Sequence, residues 1–240
     1  MVDLMDKVGR KMGFQTYTRD LDDAKYVAVQ NSSEENRANG LLKRITDFVI
    51  AGTALIFLLP VLIPLAIAIR LSDGGPALFK QRRIGRDGKE FSCYKFRSMV
   101  VDADVRLQKL LKEDPRARQE WQATQKLEDD PRITPFGQFL RKSSLDELPQ
   151  LINILKGEMS IVGPRPIVRN EVEKYGDYFP YYCQVRPGLT GLWQVSGRSD
   201  TSYGERVQLD VQYVSAWSYV SDIKIMAMTI PAVLMSDGAR

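Results

Sequence analysis

Polarity divides the chain into three regions. Residues 1–40 are polar, with Asp20-Leu21-Asp22-Asp23 and Asn31-Ser32-Ser33-Glu34-Glu35-Asn36, and read as a mobile tail with some local helix. From Phe48 to Ile69 there is no charge at all. That run is long enough for one helical passage through a hydrocarbon core of about 30 Å. Ser72-Asp73-Gly74-Gly75-Pro76 is a dense turn signal that closes it, and beyond it short apolar segments alternate with charged ones.

Within that last region, Ala77 to Gln81 and Phe91 to Val101 read as strands joined by the turn Gly85-Arg86-Asp87-Gly88. Asp102 to about Leu127 is charged and helical, with Leu107, Leu110 and Leu111 on one side and a break at Pro115. Met159 to Val162 is a short apolar strand entering the rigid turn Gly163-Pro164-Arg165-Pro166. A helical stretch follows around Ile167–Tyr178, then a turn from Pro187 feeding a short strand towards Val195, then a helix from about Tyr203 to Trp217. Ile223 to Met235 is apolar except for Lys224 and Thr229, too short to span and suited to a helix lying in a membrane interface. The pattern predicts an α/β fold, rich in helix with short strands. Its parts are a polar tail over 1–40, a membrane anchor over 41–70, and a compact cytosolic domain with interfacial helices over 71–240.

The anchor admits two readings. Basic residues stand on both sides of it, Lys43 and Arg44 before, Arg70, Lys80, Arg82 and Arg83 after, and the positive-inside rule would hold both ends on the cytoplasmic face. A mid-helix proline removes a backbone hydrogen bond, so Pro60 and Pro64 allow a re-entrant helix–break–helix that enters one leaflet and returns. The alternative is a single kinked transmembrane helix. A signal peptide fits poorly: the apolar run starts far into the chain, and no Ala-x-Ala-like site follows it.

Composition narrows the chemistry. The net charge of +4 is unevenly placed: Lys80, Arg82, Arg83, Arg86 and Lys89 cluster just after the anchor, facing anionic headgroups or an anionic substrate. No nucleic-acid recognition motif stands beside them, so no nucleic-acid partner is expected. The chain has no histidine, which excludes Ser-His-Asp and Cys-His catalysis and histidine-ligated zinc. Cys93 and Cys183 have no metal or redox spacing and read as reduced packing residues.

Several constellations remain. Ser144-Leu145-Asp146-Glu147 precedes an apolar-periodic helix (Leu148, Leu151, Ile152, Leu155) that stops at Gly157. It is either a capping box with ordinary first-turn acids, or an ionised carboxylate able to attack phosphorus beside the cations Arg141, Lys142 and Arg165. Gly163-Pro164-Arg165-Pro166 is a simple strand exit or a proline clamp presenting one arginine. By period two, Lys95 and Arg97 share one strand face, solvated or half of an anion site. Asp102-Ala103-Asp104 resembles the Asp-x-Asp of haloacid-dehalogenase-type phosphatases, but Arg106 follows where that family favours Thr or Val, and no Rossmann-like alternation appears downstream.

Taken in order, four segments join the proline-interrupted anchor: Lys95-Phe96-Arg97-Ser98-Met99, Arg141 to Gln150, Lys156 to Pro166, and Val185 to Gln194. Together they resemble the bacterial sugar transferases, the monotopic phosphoglycosyl transferases, from about residue 41 to the C-terminus. The nearest resemblance is to transferases that start exopolysaccharide repeat units. The resemblance implies transfer of hexose-1-phosphate from a UDP-hexose (glucose or galactose) to undecaprenyl phosphate with release of UMP. The reaction would take place at the cytoplasmic face of the bacterial inner membrane.

By the same resemblance, Asp146 is the nucleophile of a phosphosugar-aspartyl intermediate, and Glu147 supports it through Mg²⁺ or as a proton acceptor. Both carboxylates are candidate metal ligands. Arg141, Arg165, Lys95 and Arg186 are the candidate substrate-binding residues, and Pro60 is the membrane break. Family members often carry serine before that proline, where this chain has Leu59. A homodimer stays open. The reading of a different class is a non-catalytic, membrane-anchored module that binds anionic lipid or polymer.

Overall fold

A computed structural model describes residues 40–124, 127–197 and 201–234. The tail expected over 1–40 falls almost wholly outside them.

The first element, α1 (Leu41–Asp73), is one helix of 33 residues, about 50 Å long if straight. It ends as the turn signal predicts, at Gly74 in the left-handed conformation, whose N–H bonds the Arg70 carbonyl. The expected break at Pro60 is not an interruption: the backbone stays helical through both Pro60 and Pro64. Tertiary packing explains this. Leu55, Leu58, Leu62, Leu65 and Ala66 form one stripe across the prolines and lie against Phe96 and Leu140 of the folded domain, holding the helix where its own hydrogen bonds are missing. The opposite stripe, including Val49, Ile56, Phe57, Ile63, Ile67 and Leu71, is exposed.

The basic hairpin forms as β1 (Leu78–Ile84) and β2 (Glu90–Phe96), antiparallel with Gln81 opposite Cys93. Asp87 and Gly88, at φ 59° and 69°, carry its tight turn through the left-handed region. The charged segment becomes α2 (Ala103–Glu113) and α3 (Pro115–Thr124), with Pro115 as the first residue of the second helix rather than a kink in one. Then come α4 (Pro135–Lys142), a 3₁₀ turn (Leu145–Glu147) and α5 (Gln150–Lys156), which Gly157 stops with φ +86°.

β3 (Ser160–Val162) pairs in parallel with β4 (Gly188–Thr190). The two strands approach so closely that a Cβ on Gly188 would lie 2.1 Å from the Gly163 nitrogen, so the position demands glycine. Between them run only short helical turns, including α6 (Val172–Tyr175) and α7 (Phe179–Cys183). The short strand expected between Pro187 and Val195 is β4, which stops at Thr190; Leu192–Val195 forms the single turn α8, followed by α9 (Tyr203–Ser215) and α10 (Tyr219–Leu234). The described residues are thus mostly helical, with two small sheets and one long apolar helix.

The first turns of α1 are tied to the domain by buried charge. Lys43, 6% exposed, donates to Asp222 of α10 (2.6 Å) and to the Val162 carbonyl (3.0 Å). Asp222 also accepts from Tyr213 (2.9 Å) and Trp217 (3.0 Å). Asp47 accepts from the Ser160 hydroxyl and the Ile161 N–H. Arg44 donates to the carbonyls of Ile154 and Met159 at the end of α5. Lys43 and Arg44, counted from sequence as the basic flank before the anchor, are therefore consumed inside the protein. α10 likewise starts before Ile223 and buries Asp222 and Ile225, so only part of it faces outward.

Because an orphaned buried charge is costly, Lys43→Met should lower unfolding free energy by about 3–5 kcal/mol. Lys43→Met/Asp222→Leu should recover part of that loss. Denaturant unfolding of the detergent-solubilised protein reads both.

Candidate active site

The site is assembled from the ends of separate elements. α4 begins at Thr134, whose hydroxyl accepts from the Gly137 N–H, with Pro135 as its first residue. It docks on the segment after β2 so tightly that a Cβ on Gly137 would lie 1.9 Å from the Ser98 carbonyl oxygen. This contact lets Arg141, in the last turn, donate to the Ser98 hydroxyl at 2.9 Å. Burial lowers the Arg141 pKa, while the negative charge of Asp146 opposes that shift.

Ser144 then adopts the left-handed conformation (φ +57°), uncommon for a residue with a side chain, and makes no capping hydrogen bond. The capping box therefore does not form. Glu147 instead reaches β2, where its Oε1 lies 2.6 Å from Lys95 Nζ and 4.0 Å from the Arg165 guanidinium.

The two neighbouring carboxylates stand in opposite electrostatic states. Asp146 is buried, 8% exposed, and burial pushes its pKa up to about 6, with Lys95 and Arg141 pulling against the shift and Glu147 adding to it. For Glu147 burial also favours the neutral acid, but Lys95, Arg165 and Arg83 together outweigh it and hold the pKa at about 2. At neutral pH both are ionised. Asp146 is the more basic and the better nucleophile; Glu147 is a poor proton acceptor, which favours an electrostatic role over a base.

Beside them opens a cleft lined by Arg83, Cys93, Lys95, Glu147, Gln150, Arg165, Pro166, Gly188, Leu189 and Gln194. Arg165 leaves β3 in the proline-clamped turn and lies over the Trp193 ring, 5.9 Å from its centroid. The far end of that turn is fastened by Ile84 N–H to the Ile167 carbonyl (2.9 Å) and by Arg83 to the Pro166 carbonyl (2.9 Å).

Of the residues proposed from sequence, Lys95, Arg141, Asp146, Glu147 and Arg165 come together. Arg186 does not join them: its Nε donates to the Gly157 carbonyl at the opposite end of α5, near Arg44. Pro60 lies in α1, away from the cleft. Arg97 also parts from Lys95, because β2 ends at Phe96; its guanidinium bonds Asp73 and the Ile69 carbonyl at the C-terminus of α1. Asp102 is exposed and engaged by Arg106 through both carboxylate oxygens at 3.0 Å, outside the cleft.

Arg83, Gln150 and Gln194 were not singled out as site residues. Arg83 was legible: with Phe79 opposite Lys95, period two places Gln81 and Arg83 on the face of Lys95 and Cys93. Lys80 and Arg82 take the other face, and Lys80 lies 5.7 Å from the Tyr94 ring centroid.

Magnesium accepts one or two protein carboxylates and completes its shell with water and phosphate oxygens. Adjacent Asp146 and Glu147 fit that demand, although Lys95 already holds one Glu147 oxygen. Among the described residues no group of three or more acidic, cysteine or histidine side chains forms a fuller cage.

A model of the family described as bacterial sugar transferase matches residues 38–236. The chain is 51% identical over 200 residues to the exopolysaccharide production protein ExoY of Sinorhizobium fredii, covering 83% of this chain and 88% of that protein. It is 51% identical over 211 residues to the undecaprenyl-phosphate galactose phosphotransferase of Salmonella typhimurium, covering 88% of this chain and 44% of the relative. It is 42% identical over 200 residues to the UDP-glucose:undecaprenyl-phosphate glucose-1-phosphate transferase of Escherichia coli, covering 80% and 40%. The chain thus spans most of the ExoY protein but less than half of the two named phosphotransferases.

The raised Asp146 pKa carries a stability consequence. Its ordinary value is 3.8 and its folded value about 6. Folding is therefore unpenalised by this group below 3.8 and loses stability as pH rises through 6, by about 3 kcal/mol at most. Asp146→Asn should unfold at higher denaturant than wild type at pH 7.5, with the gap closing towards pH 4.

Proposed function

The chain belongs to the bacterial sugar transferase family, and from that premise we propose that it transfers hexose-1-phosphate from UDP-glucose or UDP-galactose to undecaprenyl phosphate, releasing UMP. The observation that carries this reading is the carboxylate pair: Asp146 buried and basic for an aspartate, Glu147 held ionised by Lys95 and Arg165 at the mouth of an arginine-lined cleft.

In the first half-reaction an Asp146 carboxylate oxygen attacks the sugar-bearing phosphorus of the donor. The bond from that phosphorus to the bridging oxygen breaks, and UMP leaves with the electron pair. In the second, a phosphate oxygen of the lipid attacks the same phosphorus and breaks its bond to Asp146. Undecaprenyl-diphospho-hexose forms and the carboxylate returns. Covalent catalysis suits a site that must meet a soluble donor and a membrane-bound acceptor in turn.

In this reading Arg165 binds diphosphate oxygens in two-point contacts and Arg141 offsets charge around Asp146, while Arg83, whose guanidinium already bonds Gln81 and the Pro166 carbonyl, adds positive charge to the cleft wall. Mg²⁺ held by Asp146 and Glu147 would neutralise phosphate charge that these side chains leave uncompensated. A merely lipid- or polymer-binding module has no use for a buried nucleophile beside a second, ionised carboxylate.

The same reading places the domain on one membrane face. Both ends of α1 bond to one folded domain, Lys43 through Asp222 and Asp73 through Arg97, while an apolar stripe between them is exposed. That favours a helix dipping into one leaflet over one crossing both, with the domain at the cytoplasmic face of a bacterial inner membrane. In inside-out vesicles a membrane-impermeant maleimide should label both Leu41→Cys and Leu71→Cys. Labelling of only one would mean a full crossing.

The decisive assay supplies UDP-hexose, undecaprenyl phosphate and Mg²⁺ to the nanodisc-embedded protein. Wild type should release UMP, and Asp146→Asn should lose at least about 10³-fold. Release of UDP would instead mean ordinary glycosyl transfer. For the donor, kcat/KM should fall about tenfold per pH unit below about 6 as Asp146 takes up its proton.

A further inference from the structure

Asn153 in α5 is wholly buried, and neither the carboxylate chemistry nor the cleft makes direct use of it. Its amide pairs with the free edge of β2: Nδ2 donates to the Ser92 carbonyl at 2.7 Å, and Oδ1 accepts from the Tyr94 N–H at 2.9 Å. Since β1 and β2 form a two-stranded sheet, that edge has no further strand among the described residues, and the Asn153 side chain supplies both halves of the missing ladder. Nδ2 also donates to Glu158 at 2.7 Å, and the Asn153 backbone carbonyl accepts from the N–H groups of Glu158 and Met159.

One residue therefore joins three segments at fixed register. α5 follows directly on Asp146 and Glu147. β2 carries Lys95 one residue beyond the bonded Tyr94. Glu158-Met159 leads into β3 and on to Arg165. A lysine is long and flexible, so a 2.6 Å contact with Glu147 is kept only if the backbone that carries it is fixed relative to α5. Apolar packing between strand and helix resists separation but tolerates sliding, whereas an amide bonded to both a donor and an acceptor does not.

We propose that Asn153 is a positioning residue for the reaction, setting the register of β2 against α5 so that Lys95 meets Glu147 beside Asp146. It touches no substrate and acts through Lys95. The inference rests on the transferase reading above for its activity readout, and on geometry alone for its second one.

The test is a double-mutant cycle of Asn153→Ala and Lys95→Met in the full chain in nanodiscs, read both as UMP release and as denaturant unfolding. Asn153→Ala alone should lower kcat about 10- to 100-fold with KM changed less than about twofold, because displacement by about 1 Å suffices for such a loss. In the Lys95→Met background it should lower kcat by less than about twofold. Equal losses in both backgrounds would reduce Asn153 to a packing residue and overturn the proposal.

Should wild type release no UMP, the transferase reading fails by itself, and the unfolding cycle still decides. Non-additive losses uphold the link to Lys95; additive losses refute it. If Asn153→Ala does not fold, Asn153→Asp/Glu158→Gln keeps the Tyr94 bond and the link to position 158 while losing the Ser92 bond. The same criteria apply to it.

Discussion

A lysine in the first turn of an apolar helix, buried to 6% exposure, is the constraint on which the rest of this molecule depends. Asp222 meets its ammonium at 2.6 Å and the Val162 carbonyl at 3.0 Å, which offsets the cost of taking the group out of water. Tyr213 bonds the same two acceptors from α9, so one small polar cluster joins α1, β3, α9 and α10. With Asp47 holding Ser160 and Ile161, the whole of β3 is fixed to the apolar helix just before the chain turns to present Arg165. The anchor and the cleft are in this sense one construction.

The same economy governs the chemistry. Two carboxylates that are neighbours in sequence would titrate alike on an exposed turn. Here they are successive residues of a 3₁₀ turn, whose geometry points one into the protein and the other towards the cations of the cleft. Burial raises one and Lys95, with Arg165 and Arg83, lowers the other. The result is an aspartate that is ionised at neutral pH but still basic, beside a carboxylate that stays charged over the whole physiological range. With histidine absent from the chain, reactivity has to be produced by placing carboxylates and cations, and the fold does so.

Much of this was legible in the order of residues. The apolar run, the turn that closes it, the hairpin around Gly85–Gly88, the stop at Gly157 and the helix over α9 follow from local rules of periodicity and backbone preference. The membership of Asp146, Glu147, Lys95, Arg141 and Arg165 in one site came from motifs taken together. Spacing alone left Ser144-Leu145-Asp146-Glu147 open between a capping box and a nucleophile, because both use the same four residues. The capping box was excluded by the left-handed Ser144 and by Lys95, far away in sequence, drawing Glu147 off.

By itself, then, the sequence determined the inventory: an apolar helix, a histidine-free set of carboxylates and cations, and the family to which they belong. Only the tertiary structure decided how the charges were spent. Lys43 and Arg44 read in the chain as the basic flank of the anchor, and Arg97 and Arg186 as anion or substrate ligands, yet each is taken up by a carboxylate or a helix-end carbonyl inside the fold. Likewise Pro60, a helix breaker by its own chemistry, sits in continuous helix because a packed stripe holds the backbone on either side. The physical reason is common to these cases. A side chain's type fixes what it can bond, but partners distant in sequence are set by packing, and in a desolvated interior the nearest opposite charge or open carbonyl wins.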